Sequence, residues 1–234
     1  MSHAHATLAA RWSQAVDAVP ERPFLVWEGS DGTVASWTYS SFDTLVAEVA
    51  SLLVSRGVES GSRIQLALTN SPAFVATWLA AARIGACMVP SDPRSSAREL
   101  ALHMERTRPT VAVCGGSSAA AYAEAITPRA DGGPEVVVVD EDDTVLEALR
   151  RPADGRTSPL PGPQQPAAVM FTSGTTSTPK GVVVTQANYA FTGDVMAAAA
   201  QLGSDDRQLV VLPLFHSNAQ YYSFAAAISA GAKE

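Results

Sequence analysis

Residues 171–185, FTSGTTSTPKGVVVT, set hydroxyls, glycines and one ammonium side by side ahead of three consecutive valines. Glycine lets backbone N–H groups approach a ligand closely, Ser and Thr hydroxyls donate to phosphate oxygens, and Lys180 adds a mobile positive charge. That chemistry suits a polyphosphate cradle, with Thr172, Ser173, Gly174, Thr175, Thr176 and Lys180 as the candidate contacts. Pro179 stiffens the stretch ahead of Lys180 and limits the entropy lost when a ligand orders it. On composition alone a solvated Ser/Thr/Gly linker is the commoner reading. The apolar runs on both sides, AAVMF and VVVT, weigh against a linker. A Walker loop requires Gly before Lys and a helix afterwards; here Lys180 precedes Gly181 and a strand pattern follows.

A second candidate is His216, placed after the apolar run QLVVLP and followed by Ser217, Asn218, Gln220 and Tyr221. A lone His after such a run is more often a hydrogen-bonded structural residue than a catalytic one. Asn, Gln and Tyr could bind a polar acid, yet polar residues also cap helix starts. His103 has no such context and is expected on a helix surface. His3 and His5 are an incidental terminal pair, because a metal site needs further ligands.

Positioning these residues requires alternating strands and helices. A helix is expected over 7–18 and a hairpin from FLVWEG and TVASWTY around Ser30-Asp31-Gly32. Ser40 and Ser41 are placed to cap a helix whose stripe is Phe42, Leu45, Val46, Val49, Leu52 and Leu53, with Gly57 as its stop. Then follow the strand RIQLALT, a helix opened by Asn70-Ser71-Pro72 and closed by Gly85, the strand CMVP, a helix over 96–106, the strand TVAVC, an Ala-rich helix to 126 and the strand VVVV. Later strands that are apolar throughout indicate a mostly parallel sheet flanked by helices, an α/β class. Five prolines between Arg151 and Pro166 mark a connector. The expected organisation is therefore an α/β subdomain over 1–150, a connector over 151–166, and from 167 to 234 the start of a second α/β subdomain. This last part should hold the hydroxyl-rich stretch, a long helix through VMAAAAQL, a strand over 208–213 and a final helix.

Bulk properties narrow the function. A chain of 234 residues with 47% hydrophobic content can build a core without staples. A net charge of −7 and 7% aromatics disfavour nucleic acid as a partner. Cys87 and Cys114 sit in apolar runs and read as buried thiols of a reducing compartment. The N-terminus carries neither a basic nor an apolar leader segment, and no window is apolar enough to span a membrane, so a cytoplasmic location is expected.

Phe171-Thr172-Ser173-Gly174-Thr175-Thr176-Ser177-Thr178-Pro179-Lys180-Gly181 resembles the signature loop of the AMP-forming adenylating superfamily: acyl-CoA synthetases, nonribosomal peptide adenylation domains and luciferase. Leu212-Pro213-Leu214-Phe215-His216 resembles a second segment of that superfamily, and the stretches 33–53 and 67–93 resemble its N-terminal portion. The chain is most similar to the crotonobetaine/carnitine-CoA ligase-like branch. The resemblance implies a ligase that activates a small carboxylic acid with ATP and Mg2+ and passes the acyl group from AMP to CoA. It implies ATP contacts at Thr172, Ser173, Gly174, Thr175, Thr176 and Lys180, catalytic roles for Lys180 and His216, and an acyl pocket at His216, Ser217, Asn218, Gln220 and Tyr221. No metal ligand is assigned. Two positions depart from the pattern: Ser177 stands where many members have Gly, and Gln186 where a Thr-His-x-Asn segment has its His, while Thr185 and Asn188 match. The family's later segments, including its magnesium-binding Glu and C-terminal domain, have no counterpart here, so the chain is expected to correspond to the N-terminal part of such an enzyme and not to be fully active by itself. The alternatives are a ligase that only thioesterifies supplied adenylate and a nucleotide- or acyl-binding module completed by a partner domain.

Overall fold

A computed structural model describes residues 6–126, 133–153, 159–172 and 179–231. The chain opens with α1 (Leu8–Ala18) and the antiparallel hairpin β1 (Pro23–Glu28) and β2 (Val34–Thr38). It continues through α2 (Tyr39–Ser55), β3 (Arg63–Ala67), α3 (Pro72–Ile84), β4 (Cys87–Pro90), α4 (Ala97–Thr107), β5 (Val111–Gly115), α5 (Ala119–Ala125) and β6 (Glu135–Val139). Past the connector come β7 (Pro166–Thr172), β8 (Lys180–Thr185), α6 (Gln186–Ala199), α7 (Ser217–Ala219), a π-helical turn (Gln220–Ala225) and α8 (Ala226–Gly231).

Six strands form one sheet in the order β6-β5-β3-β4-β7-β8, parallel except for the β7–β8 hairpin. The class is α/β with a mostly parallel sheet, as the pattern implied. The 151–166 connector runs between two strands of this sheet, since β7 pairs with β4 through Met88↔Ala168. β3, β4 and β5 are buried almost throughout, which is why they read as continuous apolar runs. On one face, α2 and α3 pack with Trp12, Phe42, Phe74 and Trp78 into the main core. On the other, Leu100 and Met104 of α4 and Tyr122 of α5 cover Ala67, Ala112 and Cys114.

Local chemistry fixes the helix ends. Thr38, rather than Ser40 or Ser41, caps α2: it forms a reciprocal capping box with Ser41, which starts the helix two residues earlier than expected. Ser71 caps α3 with Pro72 in its first turn, and Gly85 closes it at φ +79°. Thr185 and Asn188 form the box that opens α6. The matched Thr-x-x-Asn spacing thus has a direct physical role. Gln186 is fully buried; its carbonyl accepts from Ala9 N–H and its amide donates to Ala82 O, both at 3.3 Å, tying α1 to α3.

The expected strand over 208–213 does not form. Residues 206–211 have no ladder partner among the described residues, and Leu209 and Val211 are 87% and 73% exposed. A β pattern becomes a strand only where a neighbouring strand supplies the hydrogen bonds. Cys87 and Cys114 are buried as free thiols, and burial pushes each up to about 11.

Candidate active site at the carboxyl edge of the sheet

Parallel strands deliver their following loops to one edge, and ligands bind where adjacent connections diverge. Here β4 and β7 are neighbours. The chain after β4 turns back through α4 toward β5, whereas β7 turns the other way into β8. At this edge Ser91-Asp92 follow β4, and Thr172 ends β7.

Thr172 pairs directly with Lys180 at the loop end of the β7–β8 hairpin, and the Thr172 hydroxyl donates to Lys180 O at 3.4 Å. Both side chains are exposed. Ser173, Gly174, Thr175, Thr176 and Ser177 lie outside the described residues, as do His3 and His5. At Gly181 a Cβ would stand 2.8 Å from Val169 Cγ1, so the strand behind Lys180 leaves no room for a side chain there.

His216 is exposed in extended backbone just ahead of α7, its ring 4.5 Å from that of Phe215, and its N–H donates to Pro213 O at 3.0 Å. Asn70, which follows β3, anchors this approach. Its amide donates to Leu212 O at 2.9 Å and its carbonyl accepts from Leu214 N–H at 2.7 Å. Asp92, in the loop after β4, is gripped by the Arg94 guanidinium at 3.1 and 2.8 Å. The Arg94 hydrogen bond holds the Asp92 carboxyl below the usual carboxylate range, and the charge of His216 adds in the same direction. Residues after β3, β4 and β7 thus share the edge to which His216 is brought.

The expected pocket residues divide. Ser217 and Tyr221 are half-buried, Asn218 is exposed, and Tyr221 packs its ring 5.2 Å from Tyr189. Gln220 is fully buried: its amide donates to Leu214 O at 2.6 Å and its carbonyl accepts from the Tyr189 hydroxyl. Both ends of that side chain are committed to the fold, because a buried amide left unpaired is costly. The π-helical turn from Gln220 widens the helix at this point, a feature that recurs at functional sites.

His103 is the clearest correction. It is buried, not on the surface: its Nδ1 lies 3.0 Å from Ser91 Oγ, and its ring stacks on Phe171 at 3.9 Å and 10°. An isolated His on an amphipathic helix gives no sign of which face it occupies until the strand beneath is known. Asn70, Asp92 and Arg94 were also missed as site residues. Asn70 read only as a helix-start residue, and the Asp-Pro-Arg spacing at 92–94 was a usable turn signal.

A cavity of about 770 Å³ opens between the β1–β2 hairpin, residues 202–210 and α8, lined by Phe24, Tyr39, Leu209 and Phe224 among others. Thr172, Lys180, His216, Ser217, Asn218, Gln220 and Tyr221, the described residues among those expected from the sequence, do not line it, whereas Asn70 does. Placement at the sheet edge, not cavity size, therefore defines the candidate site. Among the described residues no helix is long and apolar enough to cross a membrane.

Residues 12–234 match the family described as AMP-binding enzyme. Curated relatives include crotonobetaine/carnitine-CoA ligases of Salmonella paratyphi B, 30% identical over 232 residues, and Escherichia coli O17:K52:H18, 31% identical over 233. Each alignment covers 96% of this chain and 45% of the relative, so the chain spans about half the length of these proteins. Among solved structures, the N-terminal domain of FACL13 from Mycobacterium tuberculosis superposes with a TM-score of 0.79 at 26% identity, over 97% of this chain and 55% of that one. MatB from Rhodopseudomonas palustris shares the fold with a TM-score of 0.80 at 23% identity, over 95% and 44%. The chain belongs to the AMP-binding enzyme family and corresponds to the N-terminal portion of its ligase relatives.

Proposed function

We propose that the chain provides the triphosphate-binding and acid-binding part of an acyl-CoA ligase that forms an acyl-adenylate from ATP and a small carboxylic acid. The observation that carries this reading is the juxtaposition of Thr172 and Lys180 at the loop end of the β7–β8 hairpin, on the sheet edge that also receives Asp92 and the approach to His216. Lys180 and the hydroxyls of Thr172, Ser173, Thr175 and Thr176, with the backbone at Gly174, would hold the β- and γ-phosphates. The substrate carboxylate oxygen bonds to the α-phosphorus while the bond from that phosphorus to the pyrophosphate oxygen breaks. Negative charge grows on the leaving pyrophosphate, and Lys180 offsets it. His216 stands beside the acid with Ser217, Asn218 and Tyr221 as polar neighbours, and orients it for attack.

The relatives' printed name, a CoA ligase, supports a second step in which the CoA thiol loses its proton to solvent, its sulfur bonds to the acyl carbon, and the bond from that carbon to the AMP phosphate oxygen breaks to release AMP. Among the described residues no group of three His, Cys, Asp or Glu side chains could hold a metal ion. Mg2+ would arrive with the triphosphate it accompanies and offset its charge.

Acid-dependent exchange of pyrophosphate into ATP by the full-length ligase that carries this segment tests the reading, with a panel of short and branched acids. Exchange that Lys180→Ala abolishes is expected. ATP binding without exchange for any acid would reduce the chain to a nucleotide-binding module. Normal thioesterification of supplied acyl-adenylate without exchange would point to the transfer step alone.

A further inference from the structure

Helix α4 touches both ends of the stretch between β7 and β8. On the β7 side the His103 ring lies flat on Phe171, with ring centroids 3.9 Å apart and planes 10° from parallel. On the β8 side the Arg106 guanidinium donates to the carbonyl of Pro179. The two residues are one helical turn apart and so project from the same face of α4. Phe171 and Thr172 are themselves paired with Gly181 and Lys180, so α4 grips a hairpin whose two arms are already joined.

His103 is in turn fixed from behind. Gln65, fully buried in β3, donates to Ser91 Oγ at 3.2 Å, and Ser91 Oγ lies 3.0 Å from His103 Nδ1. Burial disfavours the imidazolium, Glu99 opposing and Arg106 reinforcing that effect. The helix is rigid at its start through the Ser96–Glu99 capping box. A continuous line of contacts therefore runs from Gln65 in the sheet through Ser91 and His103 to Phe171, and Arg106 closes it on Pro179.

We propose that His103 and Arg106 are positioning residues for the nucleotide's phosphates: they fix the two stems, Phe171 and Pro179, and so set the direction from which Thr172 and Lys180 meet the ligand. This rests on the reading that Thr172 and Lys180 face a triphosphate. Preorganising a binding segment raises affinity by lowering the ordering cost at the moment of binding. The effect should be felt by ligands that carry the β- and γ-phosphates and not by AMP.

The test is titration of the chain with MgATP and separately with AMP, for the unsubstituted protein, Arg106→Gln, Arg106→Lys, His103→Asn and His103→Phe. Arg106→Gln and His103→Asn are expected to weaken MgATP about tenfold, the equivalent of about 1.4 kcal/mol, and to change AMP affinity less than twofold. His103→Phe restores a flat ring on Phe171 and Arg106→Lys restores a cationic donor, so each should recover part of the MgATP affinity. Arg106 is exposed, and its variants should melt with the unsubstituted chain, which separates positioning from folding. Equal weakening of MgATP and AMP, or unchanged MgATP affinity in both Arg106→Gln and His103→Asn, overturns the proposal. Failure of the unsubstituted chain to bind MgATP would instead remove the triphosphate reading itself.

Discussion

Asn70 and Leu214 are joined by a 2.7 Å hydrogen bond from the Leu214 N–H to the Asn70 side-chain carbonyl, while the same side chain donates to Leu212 O at 2.9 Å. One amide therefore clamps the backbone on both sides of Pro213, a residue with no N–H of its own to offer. The clamp sets where His216 enters the sheet edge.

Asn70→Ala removes both bonds and is expected to cost about 1–2 kcal/mol of stability, read from urea unfolding. The same variant should raise the acid concentration needed for half-maximal exchange more than it lowers the limiting rate, because His216 is displaced relative to the acid while Thr172 and Lys180 stay in place.

Gln220→Leu keeps the side-chain volume but leaves Leu214 O and the Tyr189 hydroxyl buried without their partner. The expected loss is about 2–4 kcal/mol in equilibrium unfolding. A variant as stable as the original, with altered acid preference, would return Gln220 to the pocket wall.

Gly193 lies where α6 meets the π-helical turn and α8: a Cβ there would stand 2.5 Å from Ala225 O and 2.8 Å from Ser229 Oγ. The nearer atom is backbone and cannot swing aside. Gly193→Ala should destabilise the chain by about 1–3 kcal/mol despite its better helix propensity, as a thermal melt would show.

His103 gives stability a pH dependence. Burial holds its folded-state value below the ordinary 6.5, so the unfolded chain binds a proton more readily. The contribution is fully present above about pH 6.5 and is lost as pH falls through the folded value. Urea midpoints between pH 5 and 7 should fall with acidity, and His103→Phe should flatten that slope. An unchanged slope would assign the acid sensitivity to other groups.

Much of this architecture was legible in the chain because buried parallel strands are apolar throughout and helix ends carry their own chemistry. RIQLA, CMVP and VAVCG declared themselves in that way, and Ser71-Pro72 and Gly85 bracketed α3. What could not be read depended on neighbours distant in sequence. The run QLVVLP has strand composition but no partner among the described residues. His103 is defined by Phe171, which lies 68 positions further along. Gln220 reads as a polar pocket residue until Tyr189 and Leu214 are seen to occupy its amide. At the site, Lys180 and His216 were visible as types in context, whereas the residues that hold their surroundings in place, Asn70 and Arg106, were not.

Pyrophosphate exchange into ATP, with and without the lysine, tests the central assignment most directly. Exchange that depends on a carboxylic acid and falls at least a hundredfold in Lys180→Ala, roughly 3 kcal/mol of lost transition-state stabilisation, is the predicted result. Acid-dependent exchange of equal rate in the unsubstituted full-length ligase and in its Lys180→Ala variant would contradict the assignment of Lys180 to the triphosphate.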